Sequence, residues 1–343
     1  MTARQRIAVI GLGMAVRPHA KSLLDLHDQV EVAYAFSRSE ERRAAFAESF
    51  AFPLCDDLQA ILADGSVNAV MILTPPNSHL ELVEACAAAG KHILLEKPLE
   101  CSSARAERLV EAAEAAGVKL GVVLQNRFRP AAEHLREQIQ SGVLGKLAAV
   151  SVQCPWWRPQ SYYDEPGRGT LARDGGGVLI TQAIHGLDLM LSLTGPVSEV
   201  AAIVGTTSLH RMETEDFVGA GLRFANGAPG AMMASSAAYP GAPERIELIC
   251  ERASAVLSAG VVTIHRQDGR QDSVGEEQST GGGADPMDFP HDAHRALLKD
   301  FLDAIAHGRE PRVTGREALK VHRFIDALLA AGATGRTAKV AAS

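Results

Sequence analysis

Over its first 125 or so residues the chain alternates apolar runs of strand length with helical stretches. No other feature restricts its fold as much. Strand-type runs lie at Arg6–Ile10, Val30–Phe36, Val67–Leu73, His92–Leu95 and Lys119–Gln125. Helical stretches fall between them at Arg17–Leu26, Glu40–Glu48, Asp57–Leu62, Ser78–Ala89 and Ser102–Ala116. Gly65, Gly90 and Gly117 sit at or just past helix ends, where left-handed termination suits glycine. Strands that are apolar throughout are buried on both faces, so this half predicts a doubly wound α/β domain on a parallel sheet.

The first run feeds Gly11-Leu12-Gly13-Met14-Ala15-Val16. Gly11 allows a sharp turn, and Gly13 lets the backbone approach a phosphate with no Cβ in the way. The next helix would aim its free N–H groups at the pyrophosphate of a dinucleotide. Val16 stands where a third glycine is common, which sets the helix slightly farther out. At the end of the second run, where a carboxylate often grips a ribose 2′-hydroxyl, the chain reads Ser37-Arg38, with Arg42 and Arg43 a turn further on. A carboxylate would repel a 2′-phosphate, whereas a guanidinium takes it in a bidentate grip, so NADP is expected over NAD.

After residue 126 the pattern changes. A helix at Pro130–Ser141 precedes β-type segments at Ala148–Gln153, Val197–Val204, Phe217–Phe224, Ala231–Ala238, Ile246–Cys250, Ala255–Ser258 and Val261–His265. One helical segment, Val178–Leu193, interrupts them, and helices at Asp292–His307 and Arg316–Ala331 close the chain. An α+β domain with a large, mostly antiparallel sheet is expected over 126–343, after a first domain of 1–125. The glycine-rich stretch Gln267–Asp288 reads as a surface loop.

A length of 343 residues suits two domains. The net charge of −7 argues against a nucleic-acid partner. No apolar run looks long enough to span a membrane. Five scattered cysteines without a C-x-x-C pair read as reduced thiols of a cytoplasmic protein. No His, Cys and carboxylate cluster has metal-ligand spacing, so no metal is expected.

Three further motifs add to the opening glycines: Thr74-Pro75-Pro76-Asn77-Ser78-His79, Glu96-Lys97-Pro98-Leu99, and Gly175-Gly176-Gly177 followed by Thr181, His185 and Asp188. In this order and spacing the chain resembles the Gfo/Idh/MocA oxidoreductases. The resemblance runs from Ile7 to about Val340. It implies an N-terminal Rossmann domain, a nicotinamide cofactor, sugar, cyclitol or other polyol substrates, and dimers or tetramers built through the C-terminal sheet. It also puts Lys97 in the place of the family's catalytic lysine and His185 in that of its acid/base histidine. Thr74, Pro75, Pro76, Asn77, His79 and Glu96 match cofactor-lining positions. Arg168, a further cofactor-binding candidate, matches an arginine often preceded by tryptophan, here Gly167. Many members carry an aspartate where this chain has Thr181, whose hydroxyl can still donate and accept a hydrogen bond and makes it a substrate-binding candidate. Four residues apart on a helix lie on one face, so threonine there leaves His185 less basic.

Oxidising a secondary alcohol needs a base for the hydroxyl proton, a role that imidazole suits. Lys97 would stabilise the developing alkoxide. Both tryptophans, Trp156 and Trp157, cluster with Arg158, Tyr162 and Tyr163. Aromatic faces stack on sugar C–H patches and arginine binds hydroxyls or carboxylates, so Trp156, Trp157, Arg158 and Tyr163 are substrate candidates; packing is the alternative. Gln125, for cofactor, and Arg127, for substrate, end the last parallel run. His291 and His294 fit surface or site equally. Two other functions stay open: a nicotinamide-binding sensor without catalysis, and a dehydrogenase of dihydrodiols or other ring compounds.

Overall fold

The computed structural model describes residues 4–278 and 289–342. In chain order the first elements are β1 (Gln5–Ile10), α1 (Val16–Asp25), β2 (Val30–Phe36), α2 (Glu40–Ala47), β3 (Leu54–Cys55), α3 (Leu58–Ala63), β4 (Ala69–Ile72), α4 (His79–Ala88), β5 (His92–Leu95), α5 (Ser103–Ala115) and β6 (Leu120–Val122). Then come α6 (Pro130–Gln140), β7 (Leu147–Pro155), α7 (Gln160–Tyr163), α8 (Leu171–Asp174), α9 (Ile184–Thr194), β8 (Val197–Gly205), β9 (Phe217–Phe224) and β10 (Pro229–Ser235). The last are β11 (Arg245–Cys250), β12 (Ala253–Ser258), β13 (Val261–Arg266), β14 (Gln271–Gly275), α10 (Asp292–His307), α11 (Gly315–Thr334) and β15 (Ala338–Lys339).

Two compact units result, one of Met1–Gln125 with His291–Leu319, the other of Asn126–Pro290 with Lys320–Ser343. A single cut after residue 125 is therefore too simple. The stretch 291–319 joins the first unit because α10 packs on α1 and β5, and because the Val122 N–H donates to Val313 O at 3.0 Å. Apolar residues on one side of α10 (Leu297, Leu298, Phe301, Leu302) find their cover there.

The first unit is built on a six-stranded, all-parallel sheet of order β3-β2-β1-β4-β5-β6. Its central strands are buried along their length: Ile7 to Ile10, Ala69 to Ile72 and Ile93 to Leu95. That is why they read as unbroken apolar runs. Chain order reverses between β1 and β4, so their carboxyl ends define a crevice. The edge strand β3 escaped the sequence reading because it is two residues long and its Leu54 is exposed.

The second unit holds a nine-stranded sheet, β14-β13-β12-β11-β7-β10-β9-β8-β15, antiparallel except for the β7–β10 pair. Burial alternates along its strands, as in Ala253–Ser258. Helices α6 and α9 cover one face. The other exposes Ile203, Phe217 and Ile249. The reading of 267–288 as one loop is corrected over its first part, since β14 pairs with β13 there; Gly281-Gly282-Gly283 lie outside the described residues. Nor does β6 reach Gln125, because Gln125–Phe128 closes into a 3-10 turn. Contrary to the sequence reading, one segment among the described residues, Leu171–Thr194, is by length and composition apolar enough to cross a membrane. Yet 89% of its most apolar window is buried within the protein, as a core helix would be.

Candidate active site

The carboxyl edge of the parallel sheet collects the first set of candidates. Gly11 has φ +109°, and a Cβ there would lie 2.8 Å from the Leu73 carbonyl carbon, so the loops after β1 and β4 touch backbone to backbone. Only glycine meets both demands. At Gly13 a Cβ would meet nothing within 4 Å, which leaves room above the loop. Helix α1 opens on Ala15 without a side-chain cap or an acidic residue in its first turn. Leu12 is buried beneath the loop, while Met14 is exposed. Room, an uncapped helix start and a close backbone turn fit the pyrophosphate of a dinucleotide.

Beside it, at the end of β2, Ser37 is buried and Arg38 and Arg42 are exposed. The Ser39 hydroxyl caps α2 by accepting the Arg42 N–H at 3.2 Å. Arg43 is committed locally, donating to Ser37 O at 2.6 Å and to Asp56 at 3.4 Å. The end of β2 therefore presents Arg38 and Arg42, with the exposed Glu40 and Glu41 between them in the first turn of α2.

Past β4, Thr74 accepts a hydrogen bond from Ser78 at 2.8 Å, and Pro75 and Asn77 are exposed. The cofactor-lining expectation for His79 is corrected. It is fully buried, with Nδ1 3.1 Å from both Pro98 O and Leu99 O and Nε2 2.8 Å from Thr74 O. Burial lowers its pKa. His79 ties the loop after β4 to the one after β5. That second loop carries Glu96, half-buried Lys97 and a cis bond to Pro98. The buried Glu96 carboxylate takes the Lys97 N–H at 2.8 Å on one oxygen and His19 Nε2 at 3.0 Å on the other. Burial works against its charge, yet the His19 hydrogen bond and the charges of His19 and Lys97 hold its pKa below the ordinary value. His294, read as surface or site, is buried with its ring edge-on to His19, centroids 5.1 Å apart. One potential ligand atom from each of His19, Glu96 and His294 lies within 4.8 Å of the others. Their wide separation along the chain hid this cluster. His291 instead bonds Asp25 at 2.9 Å on the surface.

His185 belongs to the second unit, where it is buried as the second residue of α9. Its helix begins upstream with one widened, π-type turn over Leu179–Ala183. The Thr181 hydroxyl donates to Gly177 O at 2.6 Å and also bonds Gln182, so it is turned onto its own helix. The widened turn means the α-helical four-residue spacing does not describe 181 and 185. Arg127, expected at substrate, instead grips Asp188 in a two-pronged pair at 2.7 and 2.6 Å.

In the aromatic segment, expected at substrate, Trp156, Arg158 and Tyr163 are buried. The Arg158 guanidinium lies 5.2 Å from the Trp156 ring centroid and donates to Trp157 O at 2.7 Å. The Tyr163 hydroxyl meets Ser236 at 2.6 Å, and burial pushes its pKa up to about 12. Trp157 is half-buried with Tyr239 against its edge. Arg168 stacks 4.1 Å from the Tyr162 ring centroid and pairs with Glu165 at 2.7 Å. Gln125 is buried in its turn. Sequence reading missed Glu215 and Asp216, buried acids side by side just before β9. Asp216 accepts from the Thr207 N–H and hydroxyl at 2.7 Å each and meets His210 Nδ1 at 2.8 Å. Two adjacent acids directly ahead of a strand were the available signal.

A doubly wound parallel sheet, a glycine loop at its reversal point and a lysine-bearing turn one strand away define a dinucleotide-dependent oxidoreductase. Comparison with known proteins gives the family. Residues 5–124 match the model of the Gfo/Idh/MocA oxidoreductase family's NAD-binding Rossmann fold, and 132–256 match that of its C-terminal domain. The chain belongs to this family and is an NAD(P)-dependent oxidoreductase. It is 28% identical over 323 residues to a myo-inositol 2-dehydrogenase of Thermotoga maritima, covering 91% of each chain. To a 1,5-anhydro-D-fructose reductase of Ensifer adhaerens it is 29% identical, covering 90% of this chain and 91% of that one. Among solved structures, the WlbA dehydrogenase of Bordetella pertussis, in complex with NADH and UDP-GlcNAcA, superposes with a TM-score of 0.84 at 28% identity, over 99% of this chain and all of the other.

Proposed function

We propose that the chain transfers a hydride between NADP and the CH–OH or carbonyl carbon of a sugar, cyclitol or related polyol. One observation carries the reading: the half-buried Lys97 sits on a turn braced by Glu96 and His79, on the same sheet edge as the glycine loop. The cofactor, when bound, accepts or gives the hydride. Gly11, Leu12, Gly13, Met14 and Ala15 would hold its pyrophosphate, with Thr74, Pro75, Pro76 and Asn77 beside them. Ser37, Arg38 and Arg42 would take its 2′-phosphate. The Lys97 ammonium would stabilise charge on the reacting oxygen, and His185 would receive the hydroxyl proton in oxidation or return it in reduction. The relatives named above support the substrate class by what they act on. The open face of the second sheet, with Ile203 and Phe217 exposed, supports association of copies. Five free cysteines support a reducing, cytoplasmic setting.

Single-turnover hydride transfer over a panel of sugars, cyclitols and dihydrodiols tests the reading. Lys97→Ala and His185→Ala are each expected to slow it by about 10²–10³. Near-wild-type rates with intact cofactor binding would remove both assignments. Dihydrodiol turnover alone would move the substrate class to ring compounds, and tight NADP binding without any turnover would favour a sensor. For the cofactor, the readout is the ratio of kcat/KM with NADP and NAD. A preference for NAD that survives Arg38→Ala ends the NADP reading.

A further inference from the structure

We infer that Glu215 is a positioning residue for His185, acting through the start of the helix that carries the imidazole. The inference rests on the reading of His185 as the acid/base group. The helix opens Gly176-Gly177-Val178-Leu179-Ile180 and offers none of the side chains that cap helices, and Val178 at its N-cap makes no side-chain bond. Its first free N–H groups must find acceptors elsewhere. Three in succession go to one residue more than thirty positions away. Glu215 Oε2 accepts from Gly177 at 3.0 Å, its main-chain oxygen from Val178 at 2.8 Å, and Oε1 from Leu179 at 3.1 Å. The approach is so close that a Cβ on Gly177 would fall 1.9 Å from the Glu215 carbonyl oxygen.

Directly after this cap comes the widened turn Leu179–Ala183, and directly after that His185. A π-type turn adds a residue to the helical circuit. Where it sits decides the direction in which every later side chain leaves the axis. Downstream, α9 is held by its buried residues Ile184, Leu187 and Leu191. Upstream, the restraint is Glu215. Its own place is fixed by Asp216, whose N–H donates to Gly205 O at 3.2 Å and whose carboxylate holds Thr207 and His210. The acidic pair thus ties the histidine's helix to β8 and to the loop behind it. Thr181 adds a hydroxyl bond to Gly177 O at the same helix start, so the upstream anchoring of this helix runs through the turn that Glu215 caps.

The test is Glu215→Gln, which keeps the size but sets an amide NH₂ against a main-chain N–H. In single-turnover hydride transfer the amplitude counts folded sites and the rate reports the chemistry. The amplitude and the KM for NADP are expected to stay within about twofold of wild type while the rate falls ~10²-fold, the scale of a misplacement of about 1 Å. Glu215→Asp, charged but shorter, should fall between. Glu213→Gln, at an exposed residue that caps α8 through the Leu171 N–H at 3.1 Å, should leave the rate unchanged. A readout without turnover is the ¹⁵N signal of the His185 ring, assigned through His185→Gln. It should move in Glu215→Gln and stay still in Glu213→Gln. An unmoved signal, or a lost amplitude at unchanged rate per site, overturns the inference. So does a wild-type rate in Glu215→Gln while His185→Ala is slow, and that outcome leaves the acid/base reading standing. If Glu215→Gln does not fold, an unchanged rate in Glu215→Asp overturns it. A fast His185→Ala sinks the acid/base reading itself, and this inference with it.

Discussion

Gly177→Ala probes the least forgiving point of the second unit. An added methyl would lie 1.9 Å from Glu215 O and 2.8 Å from Glu215 Cδ, whereas real Cβ contacts stay beyond 3.0 Å. Helix and strand start must part by about 1.1 Å, the difference between those two limits. That shift would stretch the three bonds at 2.8, 3.0 and 3.1 Å past hydrogen-bonding range. Bonds to a charged group are worth about 1.5–3 kcal/mol each, and a main-chain bond about 1. The sum is about 4–7 kcal/mol, a large share of the ~5–15 kcal/mol that holds a typical domain together. At ~2–4 °C per kcal/mol for a unit of this size, the Tm followed by circular dichroism should drop by at least ~8 °C. The glycine is needed for close approach alone, since its φ lies outside the left-handed region in which a side chain is strained in any case. A Tm within about 3 °C of wild type would refute the close-approach argument and remove the physical basis of the Glu215 cap.

Gly13→Ala should behave in the opposite way: its Cβ meets nothing within 4 Å, so the cofactor-free Tm should hold while NADP binding, followed by calorimetry, weakens at least tenfold. Burial pushes the His322 pKa from 6.5 down to about 4. The folded state thus resists protonation: stability is complete above pH ~6.5 and falls as the pH drops towards 4, by about 2 kcal/mol at pH 5. Urea unfolding at pH 7 and pH 5 should record that loss, and His322→Gln should flatten it; an unchanged slope refutes the assignment. Arg127→Met strands the buried Asp188 and should cost about 3–5 kcal/mol in the same assay, whereas Arg127→Met with Asp188→Leu should recover most of it. Equal losses in the single and double variants would show that the pair is not coupled.

Much of the first unit was legible because its strands are buried on both faces. Residues 69–72 and 92–95 read as strands without any help from a partner. The glycine loop, the arginines past β2 and the Glu96-Lys97 turn were legible for a related reason: each is a local arrangement of neighbouring residues. The site failed to read wherever a side chain's role depends on exposure. Trp156 and Arg158 have the chemistry of a sugar platform, yet they are buried in packing, and composition does not separate the two. Arg127 looked available because Asp188, 61 residues away, was not visible as its partner. His294 gave no sign that its ring would rest on His19, and the return of 291–319 to the first unit was equally hidden.

The order of residues by itself determined the alternation of strands and helices, the missing Cβ at Gly13 and the arginines beside Ser37, since all of these follow from residues within a few positions of one another. Tertiary structure alone decided which polar groups meet in the core. Glu96 finds His19, and Glu215 finds the bare N–H groups at residues 177 to 179, only once sheets and helices have stacked. A buried donor must be satisfied by whatever acceptor the fold brings to it, and the distance along the chain has no bearing on which one that is.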